Sequence, residues 1–502
     1  MKIPWILILF QLLAAAWSTA AEPFEVRTFG AKGDGTTLDT QAIQAAIDAA
    51  SAAGGGVVHL SPGTYLSGSV MLRSRVVLDL DQGATLLGTT DLSQYQRLNF
   101  LALVGADRQE DIGITGKGTI DGQGKIIAGH LTGAVTGGNK PDARESERPV
   151  LINFRGCRGV TVRGVTLRES ACWVQLYRDC QQVLIEGITV RTMATITNDG
   201  LDLDGCSRVI VRDCDIDSED DGICLKSSRK PCQDILVERC RIRSSCNALK
   251  FGTASAGGFI DITCRDLDIH DTYLSAIALE LVDGGTMRNV TIANVRITTT
   301  NNPLFIRLGK RNTEGPPGTI DGVTIRDVTA VIPNRRREEM NKFPPAWRHR
   351  CRTLVTGSIT GIPGHPVKGV TLRNIDITYG GIGPEPRPDH HAVEALDKIP
   401  ACIENYPEST MFGILPAWGL FLRHAEGITL ERVTLRTSGQ DYRPAVVGDD
   451  VRNLVLDGLV VPTPAQGPAI VLRNAPGLVT KEVSVDAAAI QVRTSEAVNA
   501  KP

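Results

Sequence analysis

The chain has 502 residues, of which 42% are hydrophobic and 22% are charged. Its 54 basic and 56 acidic residues nearly cancel, so the composition gives no sign of the broad positive surface by which proteins bind nucleic acid. The 51 glycines suit a fold with many tight turns, and the length does not by itself require several domains, because repeat proteins grow by adding units.

The first 21 residues have the order of a secretory signal peptide. Lys2 precedes the apolar run Ile3–Trp17, and small residues then lead into Glu22. This run is shorter than the roughly 20 apolar residues that a membrane-spanning helix needs. We therefore expect residues 1–21 to be removed, leaving a secreted or periplasmic protein without a membrane association. An uncleaved membrane anchor is the alternative.

The next element is a glycine-rich turn, Phe29–Gly35, followed by a predicted helix over Thr40–Ala50. Ile43 and Ile47 form an i, i+4 apolar pair on one face of this helix. A phosphate-binding loop would end in Gly-Lys-Ser/Thr, and that ending is absent from the turn. We predict that the short helix caps the sheet that follows, whose first strand would otherwise expose unpaired backbone groups.

From the middle of the chain onward a short apolar phrase recurs, with apolar or Cys residues at relative positions 0, 2, 5 and 7. Its first copies start at Val160, Val183, Val209 and Ile235. Alternation by two, broken by one step of three, predicts two short strands joined by a bend. The copies start 23 (183 − 160) and 26 (209 − 183) residues apart and are too small to bury an apolar face alone, so they must stack. The pattern predicts an all-β, right-handed parallel β-helix.

Later copies are spaced more widely, at 47 (370 − 323) and 58 (428 − 370) residues. The excess must project as loops, which we predict near 331–353 and 380–415. The domain prediction is therefore a single β-helix over 22–493 with these two insertions, followed by a loose tail over 494–502. The insertions carry the residues Trp347, His349, His390, His391, Tyr406 and Trp418. Such loops either line a groove, or only shield the sheet or contact another subunit.

Two acidic clusters lie about one coil apart, around Asp199 and around Asp220 and Asp221. Because 220 − 199 = 21, Asp199 and Asp220 are predicted to lie on neighbouring rungs of one face. Asp221 can share that face if the strand bends at Gly222. Three carboxyl groups this close do not all ionise easily, so one should keep a proton near neutral pH. A proton donor beside ionised partners is what glycosidic cleavage needs.

Two other interpretations of the acidic clusters stay open. Asp and Asn are common in turns, and the aspartates of this region could also hold a hard cation such as calcium through oxygen ligands.

The twelve cysteines contain no Cys-x-x-Cys pair, and several take repeat positions that hold Val or Ile elsewhere. We therefore predict that the cysteines at these repeat positions fill the interior, and that the protein uses no metal and no cofactor.

With these motifs in place, the sequence resembles glycoside hydrolase family 28, the polygalacturonase-type pectin glycosidases. The resemblance is carried by Phe29–Gly35, Gly116–Gly124, Ser170–Trp173 and the two acidic clusters. It implies a pectin-lyase-like β-helix that hydrolyses a polysaccharide or oligosaccharide with inversion.

The family's Asn-Thr-Asp motif is similar to Thr197-Asn198-Asp199, and its Asp-Asp motif is similar to Asp220-Asp221. The resemblance implies that Asp220 is the general acid, and that Asp199 and Asp221 hold and activate the water.

Two further motifs of the family are not kept. Where its members have Gly-His-Gly, this chain has Cys246-Asn247-Ala248, and where they have Arg-Ile-Lys, it has Ala278-Leu279-Glu280. The missing cations would hold a galacturonate carboxylate, so a substrate other than ordinary polygalacturonan is expected. The candidate substrate-binding residues are Asp202, Lys226, Asn247, Lys250, Glu280 and Arg307. A lysine beside acidic residues can also be purely structural. A polysaccharide lyase and a noncatalytic carbohydrate-binding β-helix are the alternative functions.

Overall fold

The computed structural model describes residues 22–130, 147–334, 354–464, 467–485 and 489–493. The predicted signal peptide, most of the first predicted insertion with Trp347 and His349, and the predicted tail lie outside these residues. None of the described helices is long and apolar enough to cross a bilayer.

Short strands make up most of the described chain. The strands are β1 Phe24–Glu25, β2 Asp34–Leu38, β3 Gly56–Leu60, β4 Gly63–Ser67, β5 Val70–Met71, β6 Val76–Leu80, β7 Ala84–Gly88, β8 Gln96–Arg97, β9 Leu101–Asp107, β10 Glu110–Gly116, β11 Thr119–Asp121, β12 Val150–Arg155, β13 Arg158–Arg163, β14 Thr166–Arg168, β15 Gln175–Arg178, β16 Gln181–Glu186, β17 Thr189–Thr192, β18 Leu201–Asp204, β19 Ser207–Arg212, β20 Asp215–Ser218, β21 Ile223–Lys226, β22 Cys232–Glu238, β23 Arg241–Ser244, β24 Leu249–Phe251, β25 Phe259–His270, β26 Thr272–Leu281, β27 Thr286–Ile297, β28 Thr300–Leu308, β29 Thr319–Ile332, β30 Gly357–Thr360, β31 Val367–Tyr379, β32 Leu420–Glu426, β33 Thr429–Thr437, β34 Val446–Arg452, β35 Val455–Asp457, β36 Ile470–Arg473, β37 Val479–Lys481 and β38 Ile490–Arg493. The helices are α1 Thr40–Ala52 and α2 Gly124–His130, with 3-10 turns at Val26–Phe29, Leu92–Gln94 and Val393–Lys398.

The chain divides into two compact units. The first comprises the described residues of Met1–Val135, Pro141–Asn198 and Ser207–Asp215, and the second comprises Asp199–Cys206 and the described residues of Ile216–Pro502. The fold is a right-handed parallel β-helix of the pectin-lyase type, as predicted. The prediction of a single domain over 22–493 stays a prediction.

In the first unit, parallel pairing joins β3 to β6, β6 to β10, β10 to β13, β13 to β16 and β16 to β19. The predicted phrase starts are in register, since Val160 pairs with Val183 and Val183 with Val209. Helix α1 packs against β1, β3, β5 and β6 and buries Ile43 and Ile47, so the predicted capping helix is confirmed.

Two runs of parallel strands build the second unit. One run pairs β18, β21, β24, β26, β28, β30, β32, β34, β36 and β38 in that order. The other pairs β22, β25, β27, β29, β31, β33, β35 and β37. Here too the phrase starts are in register, because Val290 pairs with Ile262 and with Val323. The stacked apolar positions form the core.

The bend inside each phrase is a single residue in the left-handed backbone region. In β25, β27, β29 and β31 this residue is Asp266, Asn294, Asp327 and Asn374, with φ between 52° and 57°. Asp and Asn tolerate this conformation better than other residues with a Cβ. Asn294 Nδ2 donates to Asp266 Oδ1 at 2.6 Å, and Asn374 Nδ2 donates to Asp327 Oδ1 at 2.7 Å. This left-handed residue is the physical origin of the step of three.

The second predicted insertion corresponds to the connection between β31 and β32, which contains the 3-10 turn Val393–Lys398 and no described strand. Trp418, near its end, is buried and packs edge-on against Tyr379, with the ring centroids 5.6 Å apart. Tyr406, in contrast, is 53% exposed. Of these two aromatic residues, only Tyr406 therefore remains accessible.

Candidate active site

Backbone register brings the acidic residues together at the starts of three successive strands, β18, β21 and β24. The Gly200 N–H donates to Asp221 O at 2.8 Å, and the Gly222 N–H donates to Asn247 O at 2.8 Å. Leu201 pairs with Ile223, so neighbouring coils here are offset by 22 residues. Asp199 therefore lies level with Asp221, one residue beyond the 21-residue offset expected from the sequence.

Close packing, and not a special backbone conformation, explains the glycine after each of these aspartates. A Cβ on Gly222 would lie 2.5 Å from Ile242 Cγ2 and 2.6 Å from Ala248 O. A Cβ on Gly200 would lie 2.6 Å from Ile216 Cγ2. The sequence interpretation, in which Gly222 supplies a bend through its backbone freedom, is replaced by this steric reason, since Gly222 has no positive φ.

Asp220 and Asp221 direct their carboxyl groups to the same place. The Asp220 carbonyl oxygen accepts hydrogen bonds from Ser218 Oγ at 2.9 Å and from Ser244 Oγ at 2.6 Å. The Asp221 N–H donates to Asp220 Oδ1 at 3.0 Å. As a result, a carboxylate oxygen of each aspartate and Cys246 Sγ all lie within 4.8 Å of one another.

Lys226 joins two of the aspartates. Its Nζ lies 2.9 Å from Asp199 Oδ2 and also forms a close ion pair with Asp202, which is completely buried. Burial by itself would lower the pKa of Lys226, but the charges of Asp199 and Asp202 raise it well above its usual value. Lys226 is therefore a charged lysine held by two carboxylates.

Lys250 has the corresponding position on the next coil, where it pairs with Asp221. Its Nζ lies 3.0 Å from Asp221 Oδ2, 3.9 Å from Glu280 Oε2 and 3.3 Å from the Tyr406 hydroxyl. Asn247 Nδ2 donates to the other Asp221 oxygen at 2.8 Å. Burial would lower the pKa of Lys250, but Asp221, Glu280 and Tyr406 raise it well above its usual value.

These surroundings push the pKa values of two adjacent carboxyl groups in opposite directions. Burial, together with the charges of Asp199 and Asp221, raises the pKa of Asp220 well above its usual value. Burial would also raise the pKa of Asp221, but Lys250 and Asn247 more than offset this, and the pKa is lowered. Burial raises the pKa of Asp199. The arrangement can therefore present a protonated carboxyl group beside an ionised one.

The remaining two predicted binding residues have different surroundings. Burial raises the pKa of Glu280 to about 8, and its Oε2 accepts a hydrogen bond from Thr253 Oγ1 at 3.4 Å. Arg307 is buried and donates to three backbone carbonyl oxygens, those of Gly361 (2.9 Å), Ala401 (2.7 Å) and Cys402 (2.9 Å). Arg307 therefore fixes the connection that carries Tyr406, and its described contacts do not include the site aspartates.

Sequence reasoning did not assign a specific role to Tyr406. Its ring lies 5.4 Å from Lys250 Nζ and 5.6 Å from Arg311 Cζ. Lys250 and Tyr406 are 156 positions apart in the chain. The only sequence signal for this contact was an aromatic residue in a predicted insertion.

The donor set does not favour a calcium ion. The two described groups that could hold a metal are Asp199 with Asp202 and Cys224, and Asp220 with Asp221 and Cys246. Each offers two carboxylates and a thiol, whereas calcium takes six to eight oxygen ligands. Lysine ammonium groups also already occupy carboxylate oxygens in both groups.

The sequence profile of Glycosyl hydrolases family 28 matches residues 60–389. The chain belongs to glycosyl hydrolases family 28. It is therefore an O-glycosyl hydrolase. The matched span contains all nine predicted site residues of this family 28 enzyme, whereas Tyr406 lies beyond it.

This family 28 enzyme is similar in sequence to known proteins at low identity. A probable polygalacturonase of Vitis vinifera is 26% identical over 406 residues, which cover 74% of this chain and 77% of that protein. An exo-poly-alpha-D-galacturonosidase of Dickeya chrysanthemi is 25% identical over 328 residues, and the match covers 53% of this chain and only about half (54%) of that protein. The solved exopolygalacturonase of Thermotoga maritima shares the fold, with a TM-score of 0.59 at 22% identity over 72% of this chain and 88% of that one.

Proposed function

We propose that this family 28 enzyme is secreted or periplasmic and hydrolyses glycosidic bonds of a pectin-like or related polysaccharide, with aspartates as acid and base. The observation that carries the proposal is the pair Asp220 and Asp221, whose carboxylate oxygens lie within 4.8 Å while their pKa values are shifted in opposite directions. A pair of carboxyl groups in different protonation states is the requirement for glycoside hydrolysis.

In the proposed mechanism, Asp220 donates its proton to the glycosidic oxygen as the bond from that oxygen to the anomeric carbon breaks. Asp199 and Asp221 orient a water molecule, and ionised Asp221 takes up a proton from it as the water oxygen bonds to the anomeric carbon. Lys226 and Lys250 hold these carboxylates through contacts of 2.9 and 3.0 Å. The products are two sugars with free hydroxyl groups.

We further propose that the water displaces the leaving group directly and that the anomeric configuration is inverted. Family membership supports this step. The spacing of Asp220 and Asp221 does not, because the carboxyl groups of inverting enzymes are usually roughly 6.5–9.5 Å apart. Proton magnetic resonance of the first product formed, before mutarotation, distinguishes inversion from retention.

The relatives supply the proposed substrate class, since the proteins of Vitis vinifera and Dickeya chrysanthemi are named for polygalacturonan chemistry. Oligogalacturonides, rhamnogalacturonan fragments and neutral oligosaccharides are therefore the substrates to screen. New reducing ends without ultraviolet absorbance indicate hydrolysis. An unsaturated product that absorbs in the ultraviolet would instead indicate the lyase alternative.

The decisive variant is Asp220→Asn, which keeps the size of the side chain and removes the proton donor. We expect kcat to fall by at least a hundredfold, in line with the usual contribution of about 10²–10⁴ from general acid catalysis. Asp217→Asn is the matched control. It is the same substitution three residues earlier in the chain, at a side chain that is 38% exposed. Equal cleavage by the wild type and Asp220→Asn would contradict the proposed role of Asp220, whereas no cleavage by the wild type with equal binding by both proteins would support a noncatalytic binding protein.

A further inference from the structure

Both lysines of the site are already paired with carboxylates of the protein. Lys226 contacts Asp199 at 2.9 Å and also pairs closely with Asp202. Lys250 contacts Asp221 at 3.0 Å and Glu280 at 3.9 Å. Neither ammonium group therefore offers its charge to a ligand without first giving up a protein carboxylate.

Tyr406 shields Lys250 further. The Tyr406 hydroxyl accepts a hydrogen bond from Lys250 Nζ at 3.3 Å, and the ring lies 5.4 Å from the same atom. Lys250 is 3% exposed as a result of this contact and the surrounding coils. A substrate carboxylate would have to displace the tyrosine to reach the ammonium group.

Two arginines near the site also have protein partners. Arg311, whose Cζ lies 5.6 Å from the Tyr406 ring, pairs with Asp283 through two hydrogen bonds of 2.9 Å each. Arg307 donates to three backbone carbonyl oxygens and is buried. An arginine that is bidentate to a carboxylate, or buried and held by three carbonyl oxygens, is costly to redirect toward a ligand.

Asn247 lies where the family's Gly-His-Gly motif has its histidine, and both polar atoms of its side-chain amide already have protein partners. Its Nδ2 donates to Asp221 Oδ1 at 2.8 Å, and its Oδ1 accepts from the Ser275 N–H at 3.0 Å. The amide therefore connects two coils and has no donor directed at a sugar carboxylate among these contacts. In this cluster the acid groups outnumber the lysines. The acid groups are Asp199, Asp202, Asp220, Asp221 and Glu280, and the lysines are Lys226 and Lys250.

From these contacts we infer that the sugar ring bound against Asp220 and Asp221 is uncharged, either a neutral pyranoside or a uronate whose carboxyl group is esterified. The inference rests on the proposed function and narrows its substrate. A free uronate carboxylate in this position would lose its hydration without gaining a cation, because Lys226 and Lys250 are already held by protein carboxylates.

The experiment compares the same oligogalacturonide as free acid and as full methyl ester, together with neutral oligosaccharides from pectin side chains. We expect kcat/KM for at least one uncharged substrate to exceed that for the free acid by at least tenfold. Cleavage of the ester but not the neutral sugars identifies an esterified uronate, and the reverse identifies a neutral pyranoside. Equal or faster cleavage of the free acid would overturn the inference while leaving the hydrolase intact. Cleavage of none, with Asp220→Asn indistinguishable from wild type, would overturn both.

A variant tests the physical reason. Asp202→Asn keeps the side-chain size and removes one of the two carboxylates on Lys226, so we expect the preference for the uncharged substrate to shrink by at least threefold. The control Asp217→Asn should leave that ratio unchanged. If a folded Asp202→Asn protein keeps the same ratio of kcat/KM for the uncharged and free-acid substrates, the pairing of the lysines with protein carboxylates does not cause the selectivity. If this variant does not fold, the substrate ratio of the wild type decides alone.

Discussion

Replacing Lys250 with methionine tests how strongly this lysine neutralises the site. Its side chain and that of Asp221 are 4% and 5% exposed, and Lys250 Nζ lies 3.0 Å from Asp221 Oδ2. Removing one partner of a buried ion pair typically costs about 3–5 kcal/mol of unfolding free energy, because the other charge is left uncompensated. We expect Lys250→Met to fall at the lower end of this range, because Asn247 still donates to Asp221 at 2.8 Å.

The same variant should move the pH dependence of catalysis. Burial has the largest influence on the pKa values of Asp220 and Asp221, and the charge of Lys250 lowers both of them. Removing that charge therefore raises both pKa values. In the proposed mechanism, activity requires ionised Asp221, which sets the acid limb, and protonated Asp220, which sets the alkaline limb. The whole profile of kcat/KM against pH should shift toward higher pH, with the largest loss of rate on the acid side.

Lys368→Met provides the matched control. Lys368 is 49% exposed and lies 3.6 Å from Glu426, and such surface pairs contribute about 0–1 kcal/mol. Urea unfolding followed by circular dichroism, and kcat/KM measured across pH at constant ionic strength, give the two quantities for both variants. A Lys250→Met protein that loses no more stability than the control, and whose pH profile does not move, would refute this account of the site.

Three further predictions follow from single contacts. Glu280→Gln should stabilise the protein more and more as the pH rises from 4.5 to about 8, and by a constant amount above that, because wild-type Glu280 has a raised pKa and loses its favourable protonated form over this window. Thermal unfolding at pH 4 and pH 9 checks the sign of this effect. An equal change in stability at both pH values would contradict it. Gly222→Ala should cost about 1–3 kcal/mol, since the new Cβ would meet Ile242 Cγ2 at 2.5 Å, and should also lower kcat; an unchanged urea midpoint argues against the contact. Asn294→Ala should lower the free energy of unfolding by about 1–2 kcal/mol more than Asn294→Gly, because only glycine accepts a φ of 52° freely. Both variants lose the hydrogen bond to Asp266, so equal urea midpoints would refute the role of the bend.

The sequence predicted the periodic part of the fold well, because that part depends only on local spacing. The phrase starts Val290 and Val323 are direct pairing partners, as their common pattern requires. The proximity of Asp199 to Asp221 follows from the same argument, since a coil of nearly constant length carries each turn above the previous one. The error of one residue in the offset came from taking Asp220 as the stacked position.

Contacts that depend on the insertions could not be predicted in this way. Arg307 was expected near the substrate, but it holds the carbonyl groups of Ala401 and Cys402. Tyr406 reaches Lys250 across 156 positions. Periodicity specifies neighbours one coil apart, whereas the path of a long connection depends on side chains that it meets far along the chain.

Lys250 and Arg307 lie on different coils, so the number of coils between them sets the position of Tyr406 along the stack. Lys250 lies on β24, and Arg307, which anchors the connection bearing Tyr406, lies on β28, with β26 between them. Neighbouring strands are about 4.8 Å apart, so gaining or losing one coil here would carry Tyr406 by that distance from Lys250. The distance between Tyr406 and Lys250 along the stack can thus change only in steps of one coil, and each step requires a new length for the connection between β31 and β32.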